Sequence, residues 1–150
     1  MPRRKLIPDV IRNQDITAFT PDTPVLTAVK TMAERRIGAV LVEIDGKLAG
    51  IFTERDLSVR VVAADRNPAT TRLDEVMTAN PDTLPPDAPA VDALHLMREH
   101  NYRHLPVVKD GEVLGIVSIR DLYAAVQAQL EQDIQDRDAF IYGQSYSVGT

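Results

Sequence analysis

Apolar positions along this chain follow two periods in turn, and the sequence of periods occurs twice. Val25, Ala28, Val29 and Met32 recur at helical spacing, as do Ala90, Ala93, Leu94 and Met97. Each stripe gives way to a short unbroken apolar run, AVLV at 39–42 and LPVV at 105–108. Such runs are too continuous for a strand with one wet face, and they predict strands covered on both. An Asp-Gly pair follows each run, at 45–46 and at 110–111, with a further apolar run beyond it, which is the strongest short-range hairpin signal. The return strands, KLAGIFT and EVLGIVS, then meet a second helical pattern. Each half therefore reads helix, strand, Asp-Gly turn, strand, helix, after a short extended lead-in strand. Asp22 or Thr23 before Pro24, and Asp87 before Pro89, predict an N-cap with proline in the first helical turn.

The two halves are copies. A shift of 65 residues aligns 21–57 with 86–122 without a gap, and 14 of the 37 aligned positions are identical. Pro24/Pro89, Met32/Met97, Asp45/Asp110, Gly50/Gly115 and Asp56/Asp121 are among the identical pairs. One duplication predicts two equivalent units packed about an approximate two-fold axis, because a solenoid needs more repeats. The fold class expected is α+β, with mixed α and β elements. Repeat one is placed at about 11–63, a polar linker containing Asn67-Pro68 at about 64–73, and repeat two at about 74–130. Beyond these, about 131–150 extends the last helix into a tail. That tail carries Phe140, Tyr142 and Tyr146, and two readings of it are open: frayed, or docked on a partner.

Composition narrows the chemistry. The 150 residues carry a net charge of −5, which argues against non-specific binding along a nucleic-acid backbone. With no cysteine, disulfides, thiolate catalysis and Cys-ligated zinc are excluded, and a reducing cytoplasm is the expected compartment. No apolar run approaches the ~20 residues of a membrane span, and MPRRKLIPDV has no secretory apolar region. His95, His100 and His104 lack the companion ligands of a metal motif.

The candidate chemistry lies in a repeated octapeptide, GIFTERDL at 50–57 and GIVSIRDL at 115–122. One reading is structural, since Thr53 with Asp56 and Ser118 with Asp121 each form the hydroxyl-x-x-carboxylate pattern of a capping box. The other is a ligand site. Each copy ends a buried strand where it turns into a helix, after a glycine that lets another group approach the backbone. A carboxylate there can accept both hydroxyls of a ribose diol while amides at the helix start favour an anion. The readings are compatible, because a carboxylate has about four acceptor positions. Arg55 and Arg120, inside the motif, are the phosphate candidates. Arg35-Arg36 reads as the solvated end of its helix.

The doubled octapeptide, RHLPVV at 103–108, the Asp-Gly hairpins and VMT at 76–78 resemble a tandem pair of CBS domains, a Bateman module. The resemblance spans about residues 11–130. It implies two halves packed sheet against sheet, with two clefts for adenosine-containing ligands: AMP, ADP, ATP, NAD or S-adenosylmethionine. It implies Thr53 and Asp56 in one cleft with Gly38 and Ala39. It places Ser118 and Asp121 in the other, beside Arg103, His104 and Pro106. The first repeat departs from the pattern at Gly38, Ala39 and Leu41, where the second has Arg103, His104 and Pro106, so clefts of unequal affinity are expected. A homodimer in the form of a flat disc and an unknown regulated protein are implied as partners, with neither nucleic acid nor membrane. No nucleophile-base pair, metal cage or phosphate-cradling glycine loop is evident, which predicts a regulatory module and no enzyme. Two rivals stay open: an enzyme acting on nucleotides, and a ligand-free scaffold.

Overall fold

The computed structural model describes residues 4–12 and 14–149, with side chains described through Ile141. A single π turn, Leu6–Val10, leads to strand β1 (Ala18–Phe19) and helix α1 (Val25–Arg35). Strands β2 (Ala39–Ile44) and β3 (Lys47–Thr53) form the first hairpin, and α2 (Glu54–Asp56) continues as wider π turns over Leu57–Val62. The short helix α3 (Leu73–Val76) and strand β4 (Thr78–Ala79) lead to α4 (Ala90–His100). The second hairpin, β5 (His104–Lys109) and β6 (Glu112–Ser118), runs into the long α5 (Ile119–Gly149).

Both hairpins turn on the predicted pairs. Asp45, Gly46, Asp110 and Gly111 all have positive φ (52°, 76°, 52° and 79°), which matches the right-handed twist of the flanking strands. The first sheet has the order β1-β2-β3-β4 and the second is the β5-β6 pair. The parallel pairing of Phe19 with Val42 has its counterpart, 65 residues on, in the isolated bridge of Leu84 to Val107. The lead-in of repeat two is thus one bridge long.

Alternation along β2 sorts the strand between two environments. Val40 and Val42 point into a core with Val25, Ala28, Met32, Phe52, Val61, Leu73 and Val76. Ala39 and Leu41 face the other way, joining Ile51 and Val113 where the two sheets meet. Leu105 and Val107 face a second core with Ala93, Met97, Val117 and Leu122, closed by Leu6 and Ile11 from the start of the chain. Each repeat therefore completes its core with a segment lying outside its own hairpin and helices. Leu73 and Val76, from where the linker enters the second repeat, close the first core, and the N-terminal turn closes the second.

The helix starts correct one expectation. Pro24 and Pro89 are the N-cap residues themselves, extended at ψ 141° and 143°, and neither α1 nor α4 has a side-chain cap. Backbone carbonyls from packed segments take the exposed amides instead. Val25 N–H donates to Thr71 at 2.8 Å, Leu26 N–H to Pro68 at 2.9 Å, and Ala90 N–H to Arg4 at 2.8 Å. The polar linker is thus fastened to α1 by two hydrogen bonds. The tail expected to fray or dock continues α5 as far as Gly149; Phe140 is exposed, and the side chains of Tyr142 and Tyr146 lie outside those described.

Candidate functional site

The two octapeptides fold as capping boxes at the ends of β3 and β6. Thr53 Oγ1 accepts from the Asp56 amide at 3.2 Å, and Asp56 Oδ2 accepts from the Thr53 amide at 3.0 Å. Asp121 Oδ2 accepts from the Ser118 amide at 2.9 Å, and Ser118 Oγ accepts from the Asp121 amide at 3.1 Å. In each case Oδ2 holds the cap. Asp56 Oδ1 faces Arg60 Nε at 3.7 Å. At 9% exposure, Asp56 has its pKa raised, first by burial and against the pull of its hydrogen bonds and of Arg60 and Arg55.

Each turn opens onto a cleft facing the other repeat. The first cleft, about 420 Å³, is lined by Ser118, Arg120 and Asp121 together with Gly38, Ala39, Arg36 and the 14–17 segment. The second, about 820 Å³, is lined by Thr53, Arg55 and Asp56 together with His100, Asn101, Tyr102 and residues 80–82. Glu54, Arg103 and His104 line both. This corrects the expected grouping. Gly38 and Ala39 lie with Ser118 and Asp121 and not with Thr53 and Asp56, whereas Arg103 and His104 stand beside Ser118 and Asp121 as expected and meet Thr53 and Asp56 as well. The reason is the packing: the end of each first hairpin strand faces the strand-to-helix turn of the opposite repeat. Pro106 is buried within β5, outside the lining of either cleft.

The His104 ring lies flush against Gly38, so that a Cβ there would stand 3.1 Å from His104 Nε2 and Cε1 and the ring would have to give by a few tenths of an ångström. Gly50 and Gly115 also admit a close approach, but the visitors are the chain's own side chains. A Cβ at Gly50 would collide with Met77, and one at Gly115 would stand 2.8 Å from Gln14 Oε1 and Ile11 Cδ1.

The cations differ between the clefts. In the second, Arg55 donates to the Asn101 carbonyl at 2.7 Å, and Arg60 donates to the Met77 carbonyl at 2.8 Å. Both guanidiniums are engaged on backbone. In the first, the guanidiniums of Arg36, Arg103 and Arg120 make no hydrogen bond or ion pair with a carboxylate among the described residues. Arg36 was read from sequence as a solvated helix end. It is the left-handed residue after α1, at φ 56°, and that conformation turns it into the cleft. The repeat register carried a signal for this, because Arg36 aligns with Asn101, and asparagine is a common left-handed helix terminator.

His104 has its pKa lowered, first by burial and also by Arg103, against Glu54 and Asp121, so it is neutral at pH 7. Of the other histidines, His100 stacks on Tyr102, with ring centroids 5.8 Å apart and planes 4° from parallel. Tyr102 Oη donates to Asp82 at 3.0 Å across the second cleft. In repeat one Thr17, the counterpart of Asp82, accepts through Oγ1 from Arg35 Nη1 at 2.8 Å, and Ile37 stands where repeat two has Tyr102. Sequence reading missed Gln14, Thr17, Arg60, Asp82 and Tyr102, which lie outside the duplicated octapeptide, and Glu54, which lies inside it where the second copy has Ile119.

The family model for the CBS domain matches residues 9–62 and again residues 73–128. The chain belongs to the CBS-domain family. It is 40% identical over 115 residues to the CBS domain-containing protein CBSCBSPB1 of Arabidopsis thaliana, a match covering 76% of this chain and 21% of that protein. It is 35% identical over 129 residues to CBSX3, mitochondrial, of the same organism, covering 83% and 63%. The chain thus spans from about a fifth to under two thirds of these CBS-domain relatives. Among solved structures, a CBS-domain protein from Burkholderia ambifaria MC40-6 matches with a TM-score of 0.72 and 41% identity, covering 77% of this chain and 84% of that one. The CBS-domain protein PAE2072 from Pyrobaculum aerophilum, complexed with AMP, gives 0.68 and 25%, covering 75% and 86%. The CBS domain pair of MJ0100, complexed with 5-methylthioadenosine and S-adenosyl-L-methionine, gives 0.76 and 26%, covering 85% and 99%. The α+β architecture of two CBS repeats packed sheet to sheet is that of these CBS-domain pairs.

Proposed function

We propose that this CBS-domain pair is a regulatory module that binds an adenosine-containing ligand of the AMP, ADP, ATP, NAD or S-adenosylmethionine class and signals through ligand-dependent conformation or assembly. One observation carries the reading: each of two clefts is lined by one copy of the hydroxyl-x-x-Asp turn set against the opposite repeat. The complexes of PAE2072 with AMP and of MJ0100 with S-adenosyl-L-methionine support the ligand class. In this reading Asp56 and Asp121 accept a ribose diol, with Thr53 and Ser118 beside the sugar. Arg36, Arg103 and Arg120 take phosphate in the first cleft through charge-assisted hydrogen bonds. In the second cleft Arg55 must exchange a carbonyl for a phosphate. The role is regulatory and not catalytic, in a reducing cytoplasm, as a homodimer acting on a partner protein. Among the described residues, no helix is long and apolar enough to cross a membrane.

The capping geometry favours one other reading, a scaffold in which both aspartates only close helices. Thermal melts with a nucleotide panel separate the two. A ligand binding only the folded state stabilises it by RT ln(1 + [L]/Kd), about 2.7 kcal/mol at a hundredfold excess over Kd. Millimolar AMP, ADP, ATP, NAD or S-adenosylmethionine is expected to raise Tm. Unchanged melts throughout, with flat calorimetric titrations, would leave the scaffold.

A further inference from the structure

Strands β3 and β6 are counterparts, but their outer edges are closed by different means. On β3, Ile51 pairs with Thr78 and Gly50 with Ala79 through the backbone of β4. On β6, Ile116 is the counterpart of Ile51, and one side chain takes both of its backbone groups. The Ile116 amide donates to Gln14 Oε1 at 2.6 Å, and Gln14 Nε2 donates to the Ile116 carbonyl at 3.0 Å. Gly115 leaves the space that this amide needs. Gln14 is solvent-exposed and begins the 14–17 wall of the first cleft, which Ile116 also lines. A displaceable side chain therefore does for β6 what a bonded strand does for β3.

The first cleft thus contains a paired donor and acceptor held by a carboxamide. Adenine presents the complementary pair, a ring nitrogen acceptor beside its exocyclic amine. We propose that Gln14 is an internal occupant of a base-recognising edge in the first cleft, holding the Ile116 amide and carbonyl until the base of the ligand replaces it. This rests on the nucleotide reading above and adds a recognition element that the second cleft lacks, where backbone closes the Ile51 edge. The exchange is close to neutral, since two hydrogen bonds between uncharged groups replace two others and the exposed side chain regains its rotamer freedom. An occupant present about 70–90% of the time lowers apparent affinity by the fraction of open cleft, about threefold to tenfold.

The test is a titration of ¹⁵N-labelled wild type and Gln14→Ala with AMP and, separately, with ribose 5-phosphate, following the Ile116 amide resonance as a reporter of the first cleft. Because Gln14 is exposed, the variant is expected to keep its fold, which Tm checks. AMP should move the Ile116 resonance in both proteins, with an apparent Kd about threefold to tenfold tighter in Gln14→Ala. Ribose 5-phosphate, which has no base, should bind both alike. AMP binding equal or weaker in the variant overturns the inference, and so does a parallel change for ribose 5-phosphate, which would make Gln14 a wall support. AMP binding that leaves Ile116 unmoved in both proteins also overturns it while the nucleotide reading stands. If AMP binds neither protein, both readings fall.

Discussion

Arg36 occupies a place where glycine or asparagine normally ends a helix. Its left-handed backbone, φ 56° and ψ 45°, costs an L-residue roughly 1–2 kcal/mol, and strain kept at a cleft is a pointer to function. Arg36→Gly is therefore expected to raise stability by about 1 kcal/mol in chemical denaturation. Calorimetry should show it weakening AMP in the first cleft while leaving adenosine unchanged. An unaltered preference for AMP over adenosine would take Arg36 out of phosphate recognition. Asp56→Ala and Asp121→Ala should each weaken a different site by about tenfold to a hundredfold, at 1.4 kcal/mol per factor of ten. Each variant also loses the carboxylate half of a capping box, so the titrations belong well below Tm. At His104 the folded pKa lies below the unfolded 6.5. In the window below pH 6.5 the unfolded chain therefore binds more protons, and stability falls as pH falls. Wild type should lose more Tm than His104→Asn between pH 7.5 and 5.5, and equal losses would remove His104 as the cause.

At the scale of elements, the α1 and α4 stripes, both hairpins and the strands buried on two faces were legible because each is a local periodicity or a turn dipeptide. Which turn faces which cleft was not legible. The repeat alignment says that Gly38 corresponds to Arg103, but not that Gly38 lies across from Asp121, since that depends on how two hairpins pack. Gln14 escaped for a related reason: its partner is 102 residues away. The tail was half legible, in that its helical pattern was evident while its continuity to Gly149 came from the structure. Along α5, Tyr123, Leu130, Ile134 and Ile141 recur at intervals of 7, 4 and 7 residues, and each is half exposed or more. A one-sided stripe of this kind marks an interface. Size exclusion with light scattering should report about twice the 16.6 kDa chain mass, shifting toward monomer in Ile134→Asp. A dimer indifferent to that change uses another surface.

For the whole molecule, the two clefts are joined by residues common to both. Glu54, Arg103 and His104 line each, so a ligand in one cleft touches groups that the other also uses. The cores are joined as well, because Leu73 and Val76 belong to the first and Leu6 and Ile11 to the second. Unfolding is accordingly expected to be a single transition, with coincident midpoints by circular dichroism and by Tyr102 fluorescence in a variant lacking the other tyrosines. Separate midpoints would mean that the repeats melt independently. The same reciprocity gives the chain the logic of a split reporter. Cut between residues 66 and 67, one fragment keeps the first hairpin but lacks the helix that seals its core, and the other lacks the N-terminal turn that seals its own. Neither piece should fold alone, yet each carries what the other is missing. Mixed at micromolar concentration, they should reassemble into one helical, ligand-competent particle without the bond that was removed.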